Sequence, residues 1–263
     1  MMTSSTSQLA AAYARDGFAL VKDSVFSDDL LRRARAGMDM IRAGDYDTGE
    51  PPSESPWKPG DDPTLLCKIE LPQKANLAIR ELVSHPALGA LTAEMVGCEM
   101  VQVWWAQLLY KPPGPDKKTV IGWHQDWSYT GSWEEGSEIF TAWIALSDVT
   151  ADAGPMQFIT GSHKWGFLKS GDFFGKDNAA LRAGFELPEG AVWQAFPVLL
   201  PMGGVSVHDR LTLHGSEPNL SDGPRCSLAI HMRSEKATPK ASASDLTRYL
   251  DNPDYNPVIF GAR

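Results

Sequence analysis

Cysteine is scarce in this 263-residue chain, with only Cys67, Cys98 and Cys226. Three is an odd number and no CxxC pair occurs, so the expectation is free thiols in a reducing compartment, not a disulfide framework or a thiolate zinc site. Long apolar runs are missing as well: no stretch approaches the length of a membrane span. The N-terminal "MMTSSTSQLAAAYARDGFALV" also lacks a basic region followed by an apolar run. A cytoplasmic protein without membrane contact is expected. Positive charge is in deficit, with 24 Lys and Arg against 33 Asp and Glu and a formal net charge of −9. No basic cluster is available to release counterions from a phosphate backbone, which argues against a nucleic-acid binder. Internal repeats and heptads are absent too.

What is present is ordinary globular composition, 43% hydrophobic and 22% charged, enough for one sizeable core. Helical signals gather in the first hundred residues. "SDDLLRRARAGMDMIRAG" offers Ser27 as an N-cap, Asp28 and Asp29 in the first turn, apolar residues near helical period and Gly44 as a stop. "NLAIRELVSHPALGALTAEMVG" reads as two helices split before Pro86. Between them, residues 46–63, crowded with Pro, Gly and acids, read as a surface excursion or a lid. After Cys98 the chain turns to short runs rich in Val, Ile, Trp, Phe and Thr between turn signals: "EMVQVWWAQLLYK", "GWHQDW", "EIFTAWIALSDV", "PMQFIT", "AVWQAFPVLL", "GVSVHD" and "RCSLAIHMRS". The predicted fold is one mainly β domain, a sandwich or jelly roll with the early helices packed on one sheet: a helical part over about 1–98, a core over about 99–235 and a tail over 236–263.

Within "GWHQDW", His124 and Asp126 stand two positions apart. In extended chain they project to one side while Gln125 points away, giving two legs of a metal site. His85 reads as helix-terminal, His163 as a turn residue with a structural hydrogen bond, and His231 as packing or surface. His208 and His214, both in "GGVSVHDRLTLHGSEPNLSDGPR", are each candidates for a third leg. Two histidines and one carboxylate on one face match the non-haem Fe(II) facial triad, with zinc as a competitor. Eleven positions after His214 comes Arg225, followed by Ser227 on the same strand face. A buried guanidinium of this kind needs an anionic partner and suits a carboxylate, which points to a dicarboxylate co-substrate.

These residues carry a resemblance. "HQD", "LHGSEPNLSDGPRCS", "YKPPG" and "GPMQFITGSHKWG", covering about residues 101–233, resemble the phytanoyl-CoA dioxygenase family of Fe(II)- and 2-oxoglutarate-dependent oxygenases. The N-terminal "YARDGFALVKDSVFSDDLL" is similar to that family's opening. The resemblance implies a double-stranded β-helix core, iron held by His124, Asp126 and His214, and 2-oxoglutarate paired with Arg225 aided by Ser227. Gln107 and Trp143 also match positions the family uses around the co-substrate. It implies use of O2, release of succinate and CO2, and hydroxylation of an unactivated C–H of a small molecule; desaturation or cyclisation stays open. Asp126 keeps the carboxylate that related halogenases lack. Two departures stand out: Thr160-Gly161-Ser162-His163 replaces the common Pro-Gly-Ser-His, and Met156 sits where many relatives have threonine.

Strand parity places Trp105 and Lys111 on the side of Gln107, and Trp127, Tyr129 and Trp133 beside the HxD, so these line an expected substrate pocket, with Lys111 or Arg210 for a substrate anion. Residues 46–63 and 166–190 are the loops expected to set selectivity. Rival readings are a non-redox jelly-roll binding protein and a zinc or manganese hydrolase or isomerase. Substrate identity and oligomeric state are not legible.

Overall fold

In a computed structural model that describes residues 6–241 and 247–263, the chain forms two antiparallel sheets faced by helices on one side. The elements in order are α1 (Thr6–Asp16), β1 (Phe18–Val21), α2 (Asp28–Ala43), β2 (Cys67–Glu70), α3 (Leu77–Val83), α4 (Pro86–Val96), β3 (Val101–Lys111), β4 (Ile121–His124), β5 (Ile139–Ala145), β6 (Met156–Ile159), α5 (Asn178–Ala183), β7 (Ala195–Pro197), β8 (Val205–Asp209), β9 (His214–Ser216), β10 (Arg225–Arg233) and β11 (Val258–Phe260). The larger sheet runs β1-β8-β5-β10-β3-β11, with β2 also paired to β3; the smaller runs β4-β9-β6-β7. This is the expected jelly roll. β1, β2 and β11, from the helical part and the tail, complete the large sheet.

The helices form where capping chemistry permits. Ser27 accepts from the Leu30 amide at the start of α2, and Gly44, at φ 85°, closes it in the left-handed conformation that costs glycine nothing. His85 takes the helix-terminal role expected of it, as N-cap of α4.

Strand alternation then sorts the large sheet. Phe140, Ala142 and Ile144 of β5, Val205 and Val207 of β8, and Leu228, Ile230 and Met232 of β10 form one cluster with Leu30, Met38 and Ile41 of α2 and Ile79 and Leu82 of α3. Burying each such side chain contributes roughly 1.5–3 kcal/mol, so this face fixes the register of the sheet. Because the side-chain period is two, the intervening residues Thr141, Trp143, His208, Arg225 and His231 are turned to the other face, toward the small sheet.

Residues 46–63 are a tied excursion. The Ser53 amide donates to the Glu70 carbonyl at 3.0 Å, Ser55 Oγ accepts from the Glu70 amide at 2.9 Å, and Trp57 is buried beneath Arg42. The segment thus runs along β2 and satisfies part of its outer edge.

Candidate active site

The space between the sheets is a cavity of about 250 Å³. His124 ends β4, and β4 pairs with β9 so that His124 lies directly opposite His214. Gln125 keeps extended backbone, at φ −113° and ψ 137°, so Asp126 falls on the same side as His124 although it opens a 3-10 turn. The amide of Gln125 points away as expected, donating to the Gly166 and Leu211 carbonyls and accepting from the Leu168 amide. One donor atom from each of His124, Asp126 and His214 lies within 4.8 Å of the other two, and all three residues are buried.

Both imidazoles are oriented from behind. His124 Nδ1 lies 2.8 Å from the Gly122 carbonyl and His214 Nδ1 2.9 Å from the Thr212 carbonyl. Each Nδ1 therefore carries the proton, and each Nε2 presents a lone pair inward. Asp126 Oδ1 stands 3.9 Å from His124 Nε2 and 3.6 Å from His214 Nε2. Its other oxygen, Oδ2, is engaged elsewhere: Thr141 Oγ1 donates to it at 2.6 Å, and His208 Nε2 lies 3.2 Å away. The carboxylate can offer one oxygen to a metal while the other is held.

Burial pushes the His124 imidazole down to about 3, reinforced by the neighbouring His214, and keeps it neutral. Burial alone would raise the Asp126 carboxyl, yet the facing imidazoles of His214, His208 and His231 hold it well below the usual carboxylate range. Two imidazole nitrogens and an ionised carboxylate are the donor set a ferrous ion requires. The absence of any thiolate among them fits iron better than a closed structural zinc site.

A second polar cluster lies at the base of the cavity. Arg225 is 1% exposed, donates Nη1 to the Gly154 carbonyl, and has no partner for Nε among the described residues. Burial presses its guanidinium down to about 10. Arg225 pairs in register with Lys111, whose ammonium is wholly buried against Ser216 Oγ and the Glu217 carbonyl, both at 2.6 Å. Burial, and then Arg225, push Lys111 well below the ordinary lysine value. Two buried cations without a carboxylate between them call for an anion.

Among the other expected residues, Gln107, Trp143, Trp105 and Tyr129 line the cavity, whereas Lys111, expected on the wall by strand parity, is buried behind Ser216. Trp143 sits below the Arg225 guanidinium, 5.6 Å from ring centre to Cζ. Ser227 is buried and turns its hydroxyl to the Leu109 carbonyl. Trp127 stacks under Arg210 at 4.1 Å and Trp133 is buried against Trp104; none of Trp127, Arg210 and Trp133 reaches the cavity wall. Of the two selectivity loops, residues 166–190 supply Phe173 and Phe174 to the wall, whereas residues 46–63 supply nothing.

Sequence reasoning missed several groups on that wall, among them Trp104, which strand parity turns away from Gln107 but which lines the cavity beside a register shift opposite β10. Lys68 and Glu70 arrive on β2, an unforeseen strand, and form a pair at 2.9 Å. His231, expected to be packing or surface, lines the cavity. The signal for His231 was parity with Arg225 on β10, six positions away and hence on the same face.

With this geometry in place, comparison with known proteins decides the family. The sequence profile of the phytanoyl-CoA dioxygenase family matches residues 13–227. The chain belongs to that family. It is 28% identical over 191 residues to a probable alpha-ketoglutarate-dependent hypophosphite dioxygenase of Stutzerimonas stutzeri, an alignment covering 69% of this chain and 62% of that protein. Among solved structures, the epimerase SnoN in complex with Fe3+, alpha-ketoglutarate and nogalamycin RO superposes with a TM-score of 0.71 at 22% identity, covering 94% of each chain. The carbocyclase SnoK of nogalamycin biosynthesis gives 0.68 at 22% identity over 90% of this chain and 87% of its own. EctD from S. alaskensis, with 2-oxoglutarate and 5-hydroxyectoine, gives 0.64 at 20% identity over 91% and 80%. The chain shares the jelly-roll fold of these non-haem, 2-oxoglutarate-dependent proteins. No helix among the described residues is long and apolar enough to cross a membrane.

Proposed function

We propose that this phytanoyl-CoA dioxygenase family member hydroxylates an unactivated C–H bond of a small molecule, releasing succinate and CO2. The observation that carries the reading is the convergence of the His124–Asp126 pair with the distant His214, beside the buried cation pair of Arg225 and Lys111.

In this reading His124, Asp126 and His214 hold Fe(II), and Arg225 receives the distal carboxylate of 2-oxoglutarate. Lys111 pairs in register with Arg225, so we assign it to the co-substrate and not to a substrate anion. Gln107 and Trp143, on the cavity wall, are assigned with them to the co-substrate, as is Ser216 beside Lys111; Ser227, whose hydroxyl turns to the Leu109 carbonyl, stands behind that wall. When bound, iron, 2-oxoglutarate and O2 together supply the oxidising equivalent. The protein's own part is to aim two lone pairs and one carboxylate oxygen at a single point, to fix the co-substrate by its charge, and to exclude water with Leu109, Ile121, Trp143, Met156 and Phe173. Trp105 and Tyr129 face the substrate. Trp127, Trp133 and Arg210 lie behind that wall, with Trp133 packed on Trp104.

The test is succinate formation on adding Fe(II), ascorbate and 2-oxoglutarate, repeated with His124→Ala and Arg225→Ala. Loss in both variants with the fold intact is expected; turnover indifferent to both overturns the assignment. Product mass then separates the reaction types, a gain of one oxygen marking hydroxylation and a loss of two hydrogens marking desaturation or cyclisation.

A further inference from the structure

Four of the six histidines surround Asp126, and two of them, His208 and His231, are outside the triad. Proton counting fixes the state of His231. The Thr141 hydroxyl has one proton, and an ionised carboxylate only accepts, so at 2.6 Å that proton is donated to Asp126 Oδ2. His231 Nδ1 lies 2.9 Å from the same hydroxyl oxygen. With the hydroxyl proton already committed, Nδ1 must be the donor there, and His231 is the Nδ1–H tautomer. In the neutral ring that tautomer has a bare lone pair on Nε2. No described residue bonds that nitrogen, it is not shut off from the cavity, and the ring forms part of the cavity wall across from Trp104, 5.4 Å between ring centres.

The rest of the outer chamber is electrically balanced. Lys68 pairs with Glu70 Oε1 at 2.9 Å, and the other oxygen of Glu70 accepts from Trp105 Nε1 at 2.6 Å. Glu70 Oε1 also lies 3.4 Å from Gln107 Nε2, so the charge of Glu70 is already answered by Lys68 and its oxygens by three donors. Lys68, poised 4.6 Å above the Phe173 ring, retains N–H donors beyond the one given to Glu70. A ligand anion would meet the charge of Glu70 and the lone pair of His231. Trp104, Trp105, Phe173 and Phe174 present apolar faces around these polar points.

We propose that His231 Nε2 is a substrate-binding acceptor, and that the substrate is an uncharged, largely apolar compound whose hydroxyl donates to His231, with Lys68 able to donate to a second oxygen. This rests on the oxygenase reading and narrows its substrate class. Because Thr141 links His231 to Asp126, the recognised hydroxyl lies close to the carbon that is oxidised.

The full chain, labelled with 15N in histidine and loaded with Zn(II) as a diamagnetic ion, reports the tautomer by long-range proton–nitrogen correlation. His231 is expected as Nδ1–H, with Thr141→Val weakening that preference; an Nε2–H ring in the wild type overturns the proposal. Titration with cyclohexanol, cyclohexyl methyl ether, cyclohexanecarboxylate and cyclohexylamine then ranks ligand chemistry. Cyclohexanol is expected to move the His231 Nε2 resonance and the other three not to; an equal response to the ether, a stronger response to either ion, or no response to any of the four overturns it. By tryptophan quenching, His231→Leu should weaken cyclohexanol binding about tenfold and His231→Gln, which keeps an acceptor, should restore most of it; equal loss in both variants counts against the proposal. Iron-dependent succinate formation by the wild type is measured separately. Its absence defeats the oxygenase reading, whereas these ligand results bear on the His231 assignment alone.

Discussion

The two ends of the cavity differ in what holds them. Arg225, Ser216 and Trp143 at the inner end, with Lys111 buried behind Ser216, sit on β10, β9, β5 and β3, each paired to a neighbour through backbone hydrogen bonds. The outer end takes Lys68 and Glu70 from the short strand β2, and Phe173 and Phe174 from a loop. A chemistry common to many relatives belongs on the rigid end, because misplacement by an ångström there is costly. Substrate choice belongs where sequence can change without disturbing the register of the large sheet.

Removing Asp126 should break the comparison hardest. Asp126→Ala is expected to weaken Co(II) binding more than ~100-fold, read by absorption titration with circular dichroism as the control for folding. Next comes Arg225→Gln, which leaves the co-substrate carboxylate without its guanidinium. A loss of about 100-fold in 2-oxoglutarate affinity is expected, measured by the charge-transfer band of the ferrous complex, with roughly tenfold for Lys111→Met. Lys68→Met, at the outer end, should change the same affinity by less than about twofold; a drop equal to that of Lys111→Met would merge the two ends into one site. The smallest effect concerns acidity. His124 and His208 are pushed by burial to about 3 and about 4 in the folded chain, against roughly 6.5 when unfolded. Their neutral forms are favoured by folding, so the stability of the metal-free protein should be full above pH ~6.5 and decline as pH falls toward 4, where the unfolded state binds the extra protons. His208→Phe should flatten that decline, visible as a smaller drop in Tm between pH 7 and 5.

The inner end was largely legible in the sequence. The HxD spacing, the distal histidine and the arginine eleven residues later all lie within elements whose pairing is set by alternating apolar residues, and strand parity carried Gln107 and Trp105 with them. His208 could not be separated from His214 because both lie in one strand–turn–strand stretch, and only the cross-strand register puts His214 opposite His124. The outer end was not legible. β2 is four residues long and follows a Pro-rich excursion, so its pattern is too short to announce a strand, and its partner β3 lies more than thirty residues away. Trp127 and Trp133 misled because closeness in sequence to a metal-binding motif is not closeness in space: the 3-10 turn over Asp126–Tyr129 sends Tyr129 to the cavity and Trp127 behind it.

The small sheet ends at β4, whose free edge would expose the backbone that carries His124. Residues 172–173 are stitched onto that edge, with the Asp172 amide donating to the Trp123 carbonyl and the Gly122 amide to the Phe173 carbonyl, both at 3.0 Å. The fit is tight enough that a methyl group at Gly122 would collide with the Asp172 carbonyl. The loop that shapes the chamber is therefore also a splint for the metal-binding strand. Natural drift or laboratory redesign can rewrite the side chains at 173 and 174, but it cannot swing their backbone aside without loosening the grip on iron.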